Sequence, residues 1–175
     1  MTKNQPPPPP PNRHQSNYDQ AYRAGVGMVI FNRDGLILVA ERIHNPDSWQ
    51  MPQGGIDDGE APEMAVFREM EEEIGTRNAE ILGMMDEWIY YDFPPHTAQK
   101  VWGGKYLGQR QKWIALRFLG KDKEIRLDTH SEPEFSRWQW VPIHKLLDHV
   151  VHFKRTVYEK VISEFSQYAH PSHEK

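Results

Sequence analysis

The segment from Gly54 to Gly75 constrains the fold of this chain more than any other. Pro62 suits the first turn of a helix, where its missing N–H is not needed, and Met64, Phe67, Met70 and Ile74 then recur at three- and four-residue steps. Gly75 follows as a C-terminal stop. A helix with one apolar stripe is therefore expected over Pro62–Ile74. The same helix carries Glu69, Glu72 and Glu73, three and four residues apart, so their carboxylates share a face. Like charges at these spacings cost about 0.2–0.5 kcal/mol each in an isolated helix. A solvated face tolerates that cost, and a site for a divalent cation makes use of it. Carboxylate oxygens suit Mg²⁺ or Mn²⁺. Arg68 is one residue from Glu69 and four from Glu72, within reach of Glu72 or Glu60.

The flanking sequence alternates in type. Gly25–Phe31 is an apolar run rich in β-formers, Asn32-Arg33-Asp34-Gly35 is a turn signal, and Leu36–Ala40 is a second run, so the pair reads as a hairpin. Further strands are expected at Ala79–Met85, Glu87–Phe93, Lys112–Leu119 and Trp138–Val141. A short helix should follow Pro142, and a longer one should run from about Lys154 to Tyr168. Strands bracketing a central helix, with helices again at the end, define one mixed α/β domain. Residues 1–20 stand apart as a proline-rich leader. Pro6–Pro11 favour polyproline II, and the polar flanks offer nothing to bury, so this leader is expected to be disordered. The folded domain is placed at residues 21–170, with a short C-terminal tail at 171–175.

Composition narrows the chemistry. The chain has no cysteine, which removes disulfides, thiolate nucleophiles and cysteine-ligated metals. It has no GxxxxGK phosphate loop. Its longest apolar stretch, Val26–Phe31, is far short of a membrane span, so a cytoplasmic protein is the default. His144, His149 and His152 match no zinc spacing and read as structural.

The spacing around the acidic helix is more specific than the helix itself. Gly54, Glu60, Arg68, Glu69, Glu72, Glu73 and Gly75 stand at the seven fixed positions of the Nudix box. At background frequencies of about 5–7% per position, such a match arises by chance in a given window with a probability on the order of 10⁻⁹ to 10⁻⁸. Thr76 departs from the pattern, which asks for an aliphatic residue there. The sequence thus resembles the Nudix hydrolases. Tyr22-Arg23-Ala24-Gly25-Val26-Gly27, Trp49-Gln50-Met51-Pro52-Gln53-Gly54-Gly55, Gly108-Gln109-Arg110-Gln111-Lys112-Trp113, Pro133-Glu134-Phe135, Trp138-Gln139-Trp140-Val141 and Val151-His152-Phe153-Lys154-Arg155 resemble the bacterial RNA pyrophosphohydrolase and dinucleoside polyphosphate hydrolase branch.

The resemblance implies an α/β/α sandwich with a mixed sheet and a glutamate-rich catalytic helix. It implies a Mg²⁺-dependent hydrolase, with Mn²⁺ as a substitute, acting on 5′-triphosphate RNA ends to leave a monophosphate and pyrophosphate. Dinucleoside polyphosphates are the alternative substrate, and a non-catalytic ligand-binding module is a third reading. No membrane or DNA partner is expected. Glu69, Glu72, Glu73 and Glu134 would hold the metal, with Glu134 alternatively acting as the base, the Gly54 carbonyl would complete one shell, and Arg68 would orient the carboxylates. Arg42 and Phe153 would sandwich a nucleobase, while Arg23 and Lys154 would contact phosphate or ribose. Tyr22, Gln109, Lys112 and Trp113 serve either packing or substrate.

Charge distribution is compatible with such a substrate. Gly54–Thr76 holds eight acids and one base, a balance of −7, which leaves +3 for the rest of a chain whose net charge is −4. An acidic centre in a mildly basic frame suits a polyphosphorylated nucleotide.

Overall fold

The computed structural model describes residues 13–150 and 154–172. Eight strands form one sheet: β1 (Tyr22–Phe31), β2 (Ile37–Arg42), β3 (Trp49–Gln50), β4 (Gln53–Gly55), β5 (Ala79–Met84), β6 (Ile89–Asp92), β7 (Gly108–Phe118) and β8 (Phe135–Val141). Among the described residues four α-helices accompany them: α1 (Arg13–Gln20), α2 (Pro62–Ile74), α3 (Pro95–Ala98) and α4 (Arg155–Phe165). The sheet is mixed. β1 and β7 pair in parallel from Tyr22↔Gly108 to Phe31↔Arg117, and every other pairing is antiparallel. β1 carries β2 and β4 on one side and β7 on the other, while β5 and β6 share the far edge of β7.

The alternation of β1 divides its side chains between two cores. Val26, Met28 and Ile30 face α2, together with Leu38, Ile114, Leu116 and Phe118. Val29 and Phe31 face α4, together with Ile37, Val39 and Trp113. The sheet is thus sandwiched between α2 and α4, as the family resemblance implied. Val66, Met70 and Ile74 of α2 are fully buried, each contributing about 1.5–3 kcal/mol. The buried stripe differs from the expected one at its start. Met64 is 68% exposed, and Ala65 takes the sheet-facing position, where a methyl group lets the helix approach closely. Gly75, in the left-handed conformation, ends the helix with its N–H on the Glu71 carbonyl. At the family's aliphatic position, the Thr76 hydroxyl accepts from the Asn78 N–H.

Two further departures are local. The last part of the expected leader is helical. α1 sets the Tyr18 and Tyr22 rings 5.1 Å apart, and Tyr90 donates to Asp19 at 2.5 Å. The short segment after Pro142 is a 3₁₀-helix, Ile143–His149. At the other end, the Ser172 N–H donates to the Arg33 carbonyl in the β1–β2 turn.

Candidate active site

The site begins with α2. Its last two turns lie against β4 at the edge of the buried stripe, where Glu73 is buried beside Met70 and Ile74 and Glu69 meets Gly54. Arg68 organises this junction. Its guanidinium binds Glu60 bidentately, Nε to Oε1 and Nη2 to Oε2, both at 2.8 Å. Nη2 also donates to the Gly55 carbonyl and Nη1 to Glu69 Oε1, each at 2.9 Å, and Glu72 lies 3.5 Å from Nη1. A planar fork with five donors is suited to this task, and a lysine is not. The bond from Arg68 holds the Glu60 carboxyl down at about 2. Both partners anticipated for Arg68, Glu60 and Glu72, are therefore in place.

Gly54 meets the helix directly. A Cβ there would overlap the Glu69 carboxylate, and Gly54 is required for this close approach. Its carbonyl oxygen lies 2.7 Å from where a Cβ on Gly25 would stand, wedged against the neighbouring strand. One turn deeper, Glu73 is only 8% exposed and its Oε2 accepts the Gln53 N–H at 3.2 Å. Burial raises the Glu73 carboxyl well above the usual range, and the nearby Glu134 and Glu69 charges push it the same way. Burial also raises Glu69, with Arg68 opposing the shift and Glu72 and Glu134 adding to it. Glu134 arrives from the chain before β8, where its carbonyl accepts the Ile43 N–H at 2.9 Å.

Glu69, Glu72, Glu73 and Glu134 thus converge on one acidic hollow of about 140 Å³, which His130 and Glu132 also line. The last two were not singled out from sequence; their only cue was their nearness to Glu134. Among the described residues, no ion pair neutralises Glu73 or Glu134. No three His, Asp or Glu side chains among them form a ready-made metal cluster. The donor set nevertheless fits a hard divalent cation. It is all oxygen at the core, and its mutual repulsion is what such an ion would relieve.

Beside this hollow opens a larger cavity of about 520 Å³, sharing Glu69, Glu72 and Glu134 with it. Arg23, Arg42 and Lys154 all line it, as does Gln109. Lys154, just before α4, is 7% exposed and donates to Gln50 Oε1 at 3.2 Å and Gln53 Oε1 at 3.4 Å. Burial and then the Arg42 charge push its amine down to about 8, against the opposing pull of Glu73 and Glu134. Phe153, expected to face Arg42 across a base, lies outside the described residues, as does His152. Trp113 is wholly buried beneath α4 with its ring 5.8 Å from Tyr158. Lys112 donates to the Asp86 carbonyl, and Tyr22 donates to Asp92 at 2.6 Å. Of the four residues left between packing and substrate, Gln109 alone lines this cavity. The roles of Gln50 and Gln53 were missed, although both sit in the Trp49–Gly55 motif. Phe93, Thr97 and Trp102, which form another wall, gave no motif at all.

A NUDIX-domain family model matches residues 21–161. The chain is 52% identical over 150 residues to the RNA pyrophosphohydrolase of Rhodospirillum rubrum, covering 86% of this chain and 90% of that one. It is 49% identical over 152 residues to the RNA pyrophosphohydrolase of Acidiphilium cryptum, covering 85% and 92%. Among solved structures, dihydroneopterin triphosphate pyrophosphohydrolase of E. coli superposes with a TM-score of 0.59 at 17% identity, covering 82% of this chain and 99% of that one. That last likeness concerns the fold alone. The chain belongs to the NUDIX family. Among the described residues, no helix is long and apolar enough to cross a membrane.

Proposed function

We propose that this protein is an RNA 5′-pyrophosphohydrolase, converting 5′-triphosphate ends to 5′-monophosphate ends with release of pyrophosphate. The observation that carries the reading is the shared wall between the two cavities. A basic, nucleotide-sized chamber holding Arg23, Arg42 and Lys154 opens directly onto four converging glutamates. The identity to two RNA pyrophosphohydrolases, across nearly their whole length, supports RNA as the substrate.

In this reading Glu69, Glu72, Glu73 and Glu134 hold Mg²⁺, or Mn²⁺ in its place, with the Gly54 carbonyl at the edge of the site. The cation supplies charge neutralisation of the polyphosphate and acidification of water. The chain's own residues do the rest. Arg68 touches no substrate; it fixes Glu69 relative to Glu60 and the Gly55 carbonyl. Gln53 fixes Glu73. In the metal-free protein burial makes Glu69 and Glu73 hold protons more tightly than ordinary carboxylates, so a bound cation would compete with protons for them. Arg23 and Lys154 bind phosphate oxygens, and Arg42 offers a flat guanidinium to a base. A cytoplasmic setting belongs to the same proposal, and a chain without cysteine is compatible with it.

Rates on 5′-triphosphate RNA and on diadenosine tetraphosphate, each with Mg²⁺ and with chelator, test the proposal. Faster, Mg²⁺-dependent turnover of RNA is expected. A preference for the dinucleotide would reassign the substrate, and turnover of neither would remove the enzymatic reading.

A further inference from the structure

One wall of the large cavity has no part in the chemistry above. It is the connection between β6 and β7, where α3 and the 3₁₀ turn Val101–Gly104 bring Phe93, Thr97, Val101 and Trp102 to the cavity. Trp102 is unusual in two respects. Its φ and ψ are 47° and 38°, a left-handed conformation that non-glycine residues seldom adopt, and Gly103 and Gly104 continue it at φ 65° and 73°. Its indole is also 42% exposed, so burial does not offset that conformational cost.

The ring is nonetheless firmly seated. The Arg23 guanidinium carbon lies 4.4 Å from its centroid, the Phe93 ring 5.6 Å away, and the Tyr106 ring 6.2 Å away edge-on. The Arg23 guanidinium covers one face of the ring, and the rest of this half-exposed residue, held in an uncommon backbone conformation at the cavity wall, is the apolar π-surface left for stacking. Sheet order adds a constraint. Arg42 ends β2, on one side of β1, whereas Trp102 belongs to the β6–β7 connection on the other. The cavity is therefore lined by flat, π-compatible groups that come from opposite sides of β1, and Glu69, Glu72 and Glu134 line the same cavity.

We propose that Trp102 is a nucleobase platform, stacking one base of the substrate while Arg42 serves another. This rests on reading the cavity as a site for 5′-polyphosphorylated RNA. Stacking on a π-face is tolerant of base identity, so this platform adds affinity for a nucleotide without selecting a particular base.

The test compares wild type with Trp102→Ala, Trp102→Leu and Trp102→Phe on a short 5′-triphosphate RNA, and measures inhibition by inorganic tripolyphosphate, which has no base. Trp102→Ala and Trp102→Leu should raise KM roughly 5- to 150-fold, the change expected for one lost base–aromatic stack. They should change kcat less than about threefold and leave tripolyphosphate inhibition unaltered, and Trp102→Phe should restore most of the affinity. Trp102→Leu keeps the apolar bulk, so it stands in if the alanine variant folds poorly. Equal weakening of RNA and tripolyphosphate would mean that Trp102 only positions Arg23, and would overturn the proposal. An unchanged KM in an active enzyme would overturn it as well. A wild-type protein inert on RNA would instead sink the underlying reading, and this one with it.

Discussion

Gly54→Ala puts the architecture of the site to a sharp test. The added Cβ would overlap the Glu69 carboxylate and come within 2.5 Å of its Cγ. Carbon atoms in ordinary contact lie about 3.5–4.0 Å apart, so the Glu69 side chain must recoil by about 1 Å or more. Only the end of a flexible side chain has to move. Gly54 is not among the positive-φ residues, so alanine meets no backbone strain there. The recoil separates Glu69 from Arg68 Nη1, now at 2.9 Å, and withdraws one carboxylate from the acidic hollow. Displacements of about 1 Å at a reacting centre cost about 10²-fold in rate, or about 2.7 kcal/mol. The expected result is a fall of about 10²-fold in kcat/KM for pyrophosphate release from 5′-triphosphate RNA. Tm should move by no more than about 4 °C, the shift for about 1 kcal/mol in a chain of this size. Activity within threefold of wild type would refute the claim that the Gly54–Glu69 contact sets the carboxylate's position. A collapse of Tm would show that the glycine serves the fold instead.

Two other perturbations probe charge. Glu73→Gln should abolish turnover and, in chelator, raise Tm. A carboxyl raised by burial and by Glu134 destabilises the fold once ionised, so metal-free wild type should lose stability as pH climbs from the ordinary glutamate value towards the raised one. The variant should show a flatter profile over that window, and matching melting curves would contradict the electrostatic picture. Lys154, pushed down to about 8, is charged below that pH and neutral above it. KM for RNA should therefore rise as pH passes about 8 in wild type and stay flat in Lys154→Met. The free protein should gain stability from about pH 8 towards the ordinary lysine range, since folding disfavours the charged amine. A wild-type KM indifferent to pH across 7–9 would remove Lys154 from the phosphate contacts.

How much was legible in the sequence depended on the range of the interaction. α2 and its glutamates could be read because helical periodicity and the Nudix spacing are local. β3 and β4, two and three residues long, are too short to show any period, yet they carry Gln50, Gln53 and Gly54 to the site. The role of Glu134 came only from resemblance, because its meeting with Glu73 depends on β8 pairing with β2. Arg23, Arg42 and Lys154 were singled out in the same way, and all three line the cavity. Lys154 shows what resemblance leaves out: its lowered proton affinity arises from burial and from the Arg42 charge, which only the folded chain brings to it. Trp102 was invisible for the opposite reason. Its importance lies in a backbone conformation and in a neighbour, Arg23, 79 positions away.

The central claim is that four glutamates and a basic cavity cleave an RNA 5′-triphosphate to a monophosphate. The most direct measurement is the identity of both products from a single 5′-triphosphorylated oligonucleotide with Mg²⁺, wild type beside Glu73→Gln. Pyrophosphate and 5′-monophosphate RNA are expected in equal amounts from wild type, and neither from the variant or in chelator. Orthophosphate with diphosphate RNA, or full activity in Glu73→Gln, would contradict the claim.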